Sequence, residues 1–171
     1  MPISSVELWE AIAVEAAAES PLWAEALRPE AERELEAVFS PLGDERYALG
    51  LETIYEGYLL HYGTPRLFAS PDRHTSLLLG DYLYAHGLVR IAACENVDAV
   101  ADLAALISLC AQLRAEDSPG DGEAWAASAA RLGHGPLSET HDPVTLDALA
   151  RAAAGADTVE QALALHRRRV G

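Results

Sequence analysis

Apolar residues recur at helical spacing along almost the whole chain, and capping residues stand at the breaks between the periodic stretches. Ser4 and Glu7 form a capping box ahead of a first helix, which Ser20-Pro21 ends while opening a short second one. Pro29 opens a third helical segment over 29–39, and Ser40-Pro41-Leu42-Gly43 reads as a turn. Asp44 caps a helix expected over 44–62, which Gly63-Thr64-Pro65 breaks. Pro71, at a first helical position, starts the most strongly apolar helix, 71–94, whose core side is expected to hold Leu77, Leu78, Leu79, Leu83 and Val89. Asn96 caps a helix reaching residue 115, and a Pro- and Gly-rich loop at 118–122 precedes a helix over 123–132. Asp142-Pro143 and Asp157 begin the last two. No stretch alternates with the period of a strand. The pattern predicts an all-α helical bundle in one domain, with N-terminal helices in 1–43, a core in 44–115 and C-terminal helices in 116–171.

Composition narrows the possible partners. The chain has 171 residues, half of them hydrophobic, enough for a sizeable core. No uninterrupted apolar run approaches the ~20 residues of a membrane span. The N-terminus lacks the basic start of a secretory signal. Cys94 and Cys110 fall on separate predicted helices without metal-ligand spacing, so both read as small buried hydrophobes, and a reduced, cytoplasmic protein is expected. A net charge of −15 argues against nucleic acid and anionic membrane. The negative charge concentrates in the first third, while Arg167, Arg168 and Arg169 complement the dipole of the last helix.

Chemistry-bearing residues are sparse. Glu52 and Glu56 stand at i and i+4 on one helix face, where two carboxylates can share a divalent cation or sit in solvent. Arg66, just after Pro65, reads as a surface arginine at a helix end. Asp81 lies in the core-facing part of an apolar helix and needs a partner; His86 is too far round that helix, and His74 is two turns away. His134 and His141, near Glu139 and Asp142, offer zinc-type ligands without a zinc motif. Gly57 and Gly80, inside helices, mark tight packing or room for a ligand, and Ala85, Gly87, Ala92 and Ala93 are expected to let helices approach closely. No nucleophile elbow, phosphate-binding glycine loop or Cys-His pairing occurs, and no catalytic residue is assigned.

The stretch 52–85, ETIYEGYLLHYGTPRLFASPDRHTSLLLGDYLYA, resembles the polyprenyl diphosphate synthase family. In that family DDxxD is followed after four residues by RRGxP, then by a Leu-rich helix containing GD[YF]. Gly63, Thr64 and Pro65 match GxP, and Gly80, Asp81 and Tyr82 match GD[YF]. The same register sets Glu52, Thr53 and Glu56 on the aspartate positions and His61 and Tyr62 on the two arginines. The likeness covers 48–114; the family's N-terminal GGKRxRP segment and its second Asp-rich motif have no counterpart. It implies the helical fold of isoprenoid synthases without their metal and diphosphate ligands. The chain thus looks like the small, non-catalytic subunit of heterodimeric heptaprenyl diphosphate synthases.

This implies an interaction or regulatory subunit in isoprenoid diphosphate biosynthesis. Its partner would be a second copy or a catalytic prenyl synthase subunit, met through the less charged segment 71–115. No cofactor is expected on that reading. Two alternatives stand beside it. One is a free-standing binding protein with an apolar cavity lined by Leu59, Leu78, Leu79 and Tyr82. The other is a divergent Mg²⁺-dependent enzyme using Glu52, Glu56 and Asp81, with His61, Arg66 and Tyr82 on the ligand or packing face.

Overall fold

A computed structural model describes residues 4–69, 72–135, 137 and 141–170. Eight α-helices account for most of them: α1 Ser5–Glu19, α2 Pro21–Ala26, α3 Ala48–Tyr62, α4 Arg73–Ala92, α5 Val97–Ala115, α6 Asp121–Ala130, α7 Pro143–Ala154 and α8 Ala156–Val170. The protein is an all-α helical bundle; among the described residues the nearest thing to a sheet is one antiparallel bridge, Leu27 with Phe68. No helix of the described chain is long and apolar enough to cross a membrane.

The helix starts follow from the side chains at them. Ser4 and Glu7 make the reciprocal capping box, and Ser20 caps α2, with Pro21 at its first position. Asp72, Asn96 and Asp142 each accept from the backbone N–H three residues on, at the starts of α4, α5 and α7. Pro71, expected to open α4, lies outside the described residues. Asp44 caps a 3-10 turn, Glu45–Tyr47, that runs into α3.

The segment 29–39 departs from its helical expectation. Only Glu30–Glu32 forms a 3-10 turn, and residues 33–38 have no helical structure. The reason is competition for its backbone groups. Val38 N–H and Ser40 N–H donate to the Glu52 carboxylate at 3.3 and 3.1 Å, and the Glu36 carbonyl accepts from Arg66 at 2.8 Å. Groups that a helix would pair within itself are taken up by side chains from elsewhere.

α3 is the spine of the molecule. Residues 50–60 are all buried, so it is not the amphipathic helix its charged residues suggest. On one side Leu51, Ile54, Tyr55, Tyr58 and Leu59 join a core built with α5, α6, α7 and α8. On the other, Leu60 packs with Trp9 and Ile12 of α1, Trp23 of α2, and Leu79 and Leu83 of α4. The expected inward face of α4 is half right. Leu79 and Leu83 are buried, whereas Leu78 is 58% and Val89 66% exposed and Leu77 is half-buried. The side of α4 that meets α3 is set by its small residues, and Leu78 and Val89 lie off that side. Ala85, Ala92 and Ala93 are likewise exposed, so of the four small residues expected to admit a neighbour only Gly87 does.

α3 and α4 touch backbone to backbone at two places. A Cβ on Gly57 would lie 2.8 Å from the Gly80 carbonyl oxygen, and one on Gly80 3.1 Å from that of Gly57. Gly50 and Gly87 repeat the arrangement one heptad away, with corresponding approaches of 3.3 and 3.1 Å. Packing is therefore the role of Gly57 and Gly80. Gly57→Ala is expected to lower stability by ~1–3 kcal/mol through overpacking. This outweighs the ~1 kcal/mol gain in helix propensity that alanine brings. Urea unfolding of the variant against the parent protein measures the effect.

Candidate functional site

A helix buried on every side must satisfy its polar residues internally, and α3 carries Glu52, Thr53 and Glu56 there. The structure brings both glutamates to Arg66, which is not at the surface as expected but fully buried in the connection between α3 and α4. Arg66 Nη1 donates to Glu52 Oε2 at 2.6 Å and Nε to Glu56 Oε2 at 3.0 Å. The remaining oxygens are also used. Glu56 Oε1 accepts the backbone N–H groups of Arg66 and Leu67, each at 2.8 Å, and Glu52 Oε1 takes those of Val38 and Ser40.

The guanidinium plane is enclosed as well. Its carbon lies 4.5 Å from the ring centre of Trp9 on α1 and 5.0 Å from that of Tyr55. Burial opposes the charge of Arg66, yet Glu52 and Glu56 outweigh it and hold the side chain protonated more firmly than usual. Glu52 and Glu56 are 1% and 0% exposed, so the solvated carboxylate face expected from their spacing is not what forms.

His61 and Asp81, on α3 and α4, also meet, with Nε2 to Oδ1 at 3.0 Å. Asp81 is not in the core: its side chain lies at the edge of the α3–α4 contact and is 69% exposed. Its partner is neither His74 nor His86. The His61 ring stacks on Tyr84 at 5.0 Å, and burial lowers its basicity against the opposing pull of Asp81. Tyr82 belongs to another neighbourhood, 6.0 Å from Trp23 and 5.3 Å from His86. Leu59 and Leu79 are core residues while Leu78 is exposed, so these three and Tyr82 do not line a common cavity. His134 Nδ1 lies 3.2 Å from the Leu132 carbonyl, and Glu139 falls outside the described residues. Among the described residues no group of three His, Cys, Asp or Glu side chains could hold a metal ion.

A second polar cluster was not foreseen. Tyr58 donates to Asp121, the first residue of α6, and Arg114 Nε donates to the same carboxylate oxygen at 3.1 Å. His166 of α8 places Nε2 3.4 Å from it, in ion-pair range but outside hydrogen-bond geometry, and its Nδ1 is 2.9 Å from the Tyr55 hydroxyl. Four helices thus converge on one carboxylate. Asp121 falls in the loop expected at 118–122 and His166 precedes the three arginines without a motif of its own, so only the tertiary fold identifies them. Cys110, buried nearby, has its thiol pushed well above the usual range by burial, which makes it an inert core residue. Cys94 is half-buried, and its Sγ lies 3.3 Å from the Arg46 carbonyl.

No family model, curated protein or solved structure matches the chain.

Both clusters make measurable contributions. Arg66→Met leaves two buried carboxylates without their countercharge and is expected to cost ~3–5 kcal/mol. Adding Glu52→Gln and Glu56→Gln to it should recover part of that loss, as read by urea unfolding at neutral pH. Burial alone would raise the Asp121 carboxyl, but His166, Tyr58 and Arg114 hold it well below its ordinary 3.8. A depressed carboxyl stabilises the fold above its unfolded-state range, and that stabilisation is lost as pH falls through and below about 4. Urea midpoints from pH 6 to pH 3 should therefore fall more steeply for the parent protein than for Asp121→Asn.

Proposed function

We propose that this protein is a non-catalytic, polyprenyl-synthase-like subunit, acting through association with a second copy or with a catalytic prenyl synthase rather than through chemistry of its own. The observation that carries this reading is the closure of Glu52 and Glu56 around Arg66. In the sequence frame these glutamates stand where the family keeps metal-binding aspartates. Here all four of their oxygens accept hydrogen bonds from the protein itself, so they serve packing. His61, at an arginine position of the diphosphate site, is weakened as a base by burial and faces Asp81, a poor setting for an anion.

The surface favours association through α4. Leu78, Ala85, Val89 and Ala92 are exposed along its outer side, while its inner side is spent on α3. Burial of such a stripe supplies ~25 cal/mol per Å² before the costs of association. The acidic residues of α1 and the segment after it lie outside this stripe in sequence.

Two measurements test the reading. Purified protein with isopentenyl diphosphate, an allylic diphosphate and Mg²⁺ is expected to give no elongated product; turnover abolished by Glu52→Ala would overturn the non-catalytic assignment. Sedimentation at micromolar concentration, at low and moderate salt, is expected to show self-association that Leu78→Glu with Val89→Glu removes. A monomer under all conditions that also captures no prenyl synthase subunit would count against the subunit assignment.

A further inference from the structure

At 3.6 residues per turn, Leu78, Tyr82, Ala85, Val89 and Ala92 fall on one side of α4. Tyr82 is half-buried and the other four are exposed. The opposite side is spent on α3, through Gly80 and Gly87. The steps of four, three, four and three residues are those of the seam by which one helix packs along another. None of the five residues is charged, and Asp81 stands at the edge of the stripe, with His61 beside it at 3.0 Å.

Shape and charge both select what covers this seam. Reversed about Ala85, the stripe fits itself. Leu78 comes opposite Ala92 and Tyr82 beside Val89, so a bulky side chain meets a small one at each end. At the centre Ala85 meets its own copy, which lets the two backbones approach. The ends of the helix carry opposite charges. Arg73 opens α4 and is exposed; Glu95 and Asp98 follow its last turn and are also exposed. The other charges near the two ends are committed within the chain. Asp72 accepts from the Thr75 N–H and hydroxyl, and Arg90 is turned to Thr53 and Glu15.

We propose, building on the subunit reading above, that α4 pairs with α4 of a second copy, antiparallel, across a two-fold axis at Ala85. Arg73 of each copy then stands across from residues 95–98 of the other, twice by symmetry. The two helix dipoles also oppose, which favours the antiparallel sense. A parallel pairing would set Arg73 against Arg73 and Glu95 against Glu95. A protein of net charge −15 repels its own copy, so the contact belongs where the exposed surface is apolar and the charges at its two ends are complementary.

The test places single cysteines on a Cys94→Ser background, in which the remaining Cys110 is buried. Under mild oxidation Ala85→Cys is expected to cross-link to its own copy, since residues on the axis of an antiparallel pair lie within disulfide reach. Leu78→Cys mixed with Ala92→Cys should link one to the other, and Ala152→Cys, exposed on α7, should stay unlinked. In sedimentation, Arg73→Glu should weaken the dimer about threefold or more, and adding Glu95→Arg with Asp98→Arg should restore it. The proposal is overturned if Ala85→Cys links no faster than Ala152→Cys, or if the reversed charges do not rescue association. A monomer that captures a catalytic prenyl synthase overturns it and leaves the subunit reading intact. A dimer linked through Ala85 that elongates isopentenyl diphosphate overturns the non-catalytic reading and leaves the pairing standing.

Discussion

The guanidinium of Arg66 is the group on which the architecture turns. It sits in the connection between α3 and α4, reaches inward to two glutamates of α3, and is covered by Trp9 of α1. Through the same carboxylates it fixes the backbone of residues 38–40, and through its own Nη1 the Glu36 carbonyl. A buried ion cluster repays its desolvation only when every donor and acceptor is placed, so three remote segments must arrive together or not at all. An apolar substitute of equal volume could match its stability. It would not dictate where residues 34–40 run, and in this molecule that is what the charges contribute.

The second cluster does for the C-terminal half what Arg66 does for the N-terminal half. Asp121 gathers Tyr58 from α3, Arg114 from α5 and His166 from α8, so α5, α6 and α8 are all referred to the spine. Around it Phe39, Tyr55, Tyr58 and Trp125 form an aromatic layer, with Phe39 and Trp125 stacked at 5.5 Å. Tyr55 and Tyr58 thus link the two clusters, one ring lying against Arg66 and the other bonded to Asp121. Polar groups inside the bundle set orientation, and the apolar layers between them supply most of the driving force.

Helix existence and most helix starts were legible in the sequence because caps and prolines act locally: Ser4, Ser20, Asn96 and Asp142 bond within three residues of themselves, whereas α4 starts at Arg73 behind Asp72 and not at Pro71. The segment 29–39 was misread because its fate depends on Glu52 and Arg66, far along the chain. The same distance hid the burial of Arg66: a guanidinium is exposed by default, and only the coincidence of two glutamates, two aromatic rings and a carbonyl makes a core position tolerable. Asp81 erred the other way. Its neighbours in sequence are apolar, but the contact side of α4 is dictated by Gly80 and Gly87, which present no hydrophobic signal at all. The spacing sets Glu52 and Glu56 on one helix face as the sequence implies, but the cation they share is an arginine of the chain itself, neither a metal nor solvent.

The paired glycines have a mechanical consequence. Helices that touch at one crossing point can rock about it, as on a pivot. α3 and α4 are pinned at two points a heptad apart, about 10 Å along the axis. Rocking that opened one contact would drive the other into overlap, and sliding by a single residue would bring side chains onto both carbonyls at once. The hairpin of α3 and α4 therefore behaves as a rigid beam, and any shape change in this protein must come from the helices that lean on it.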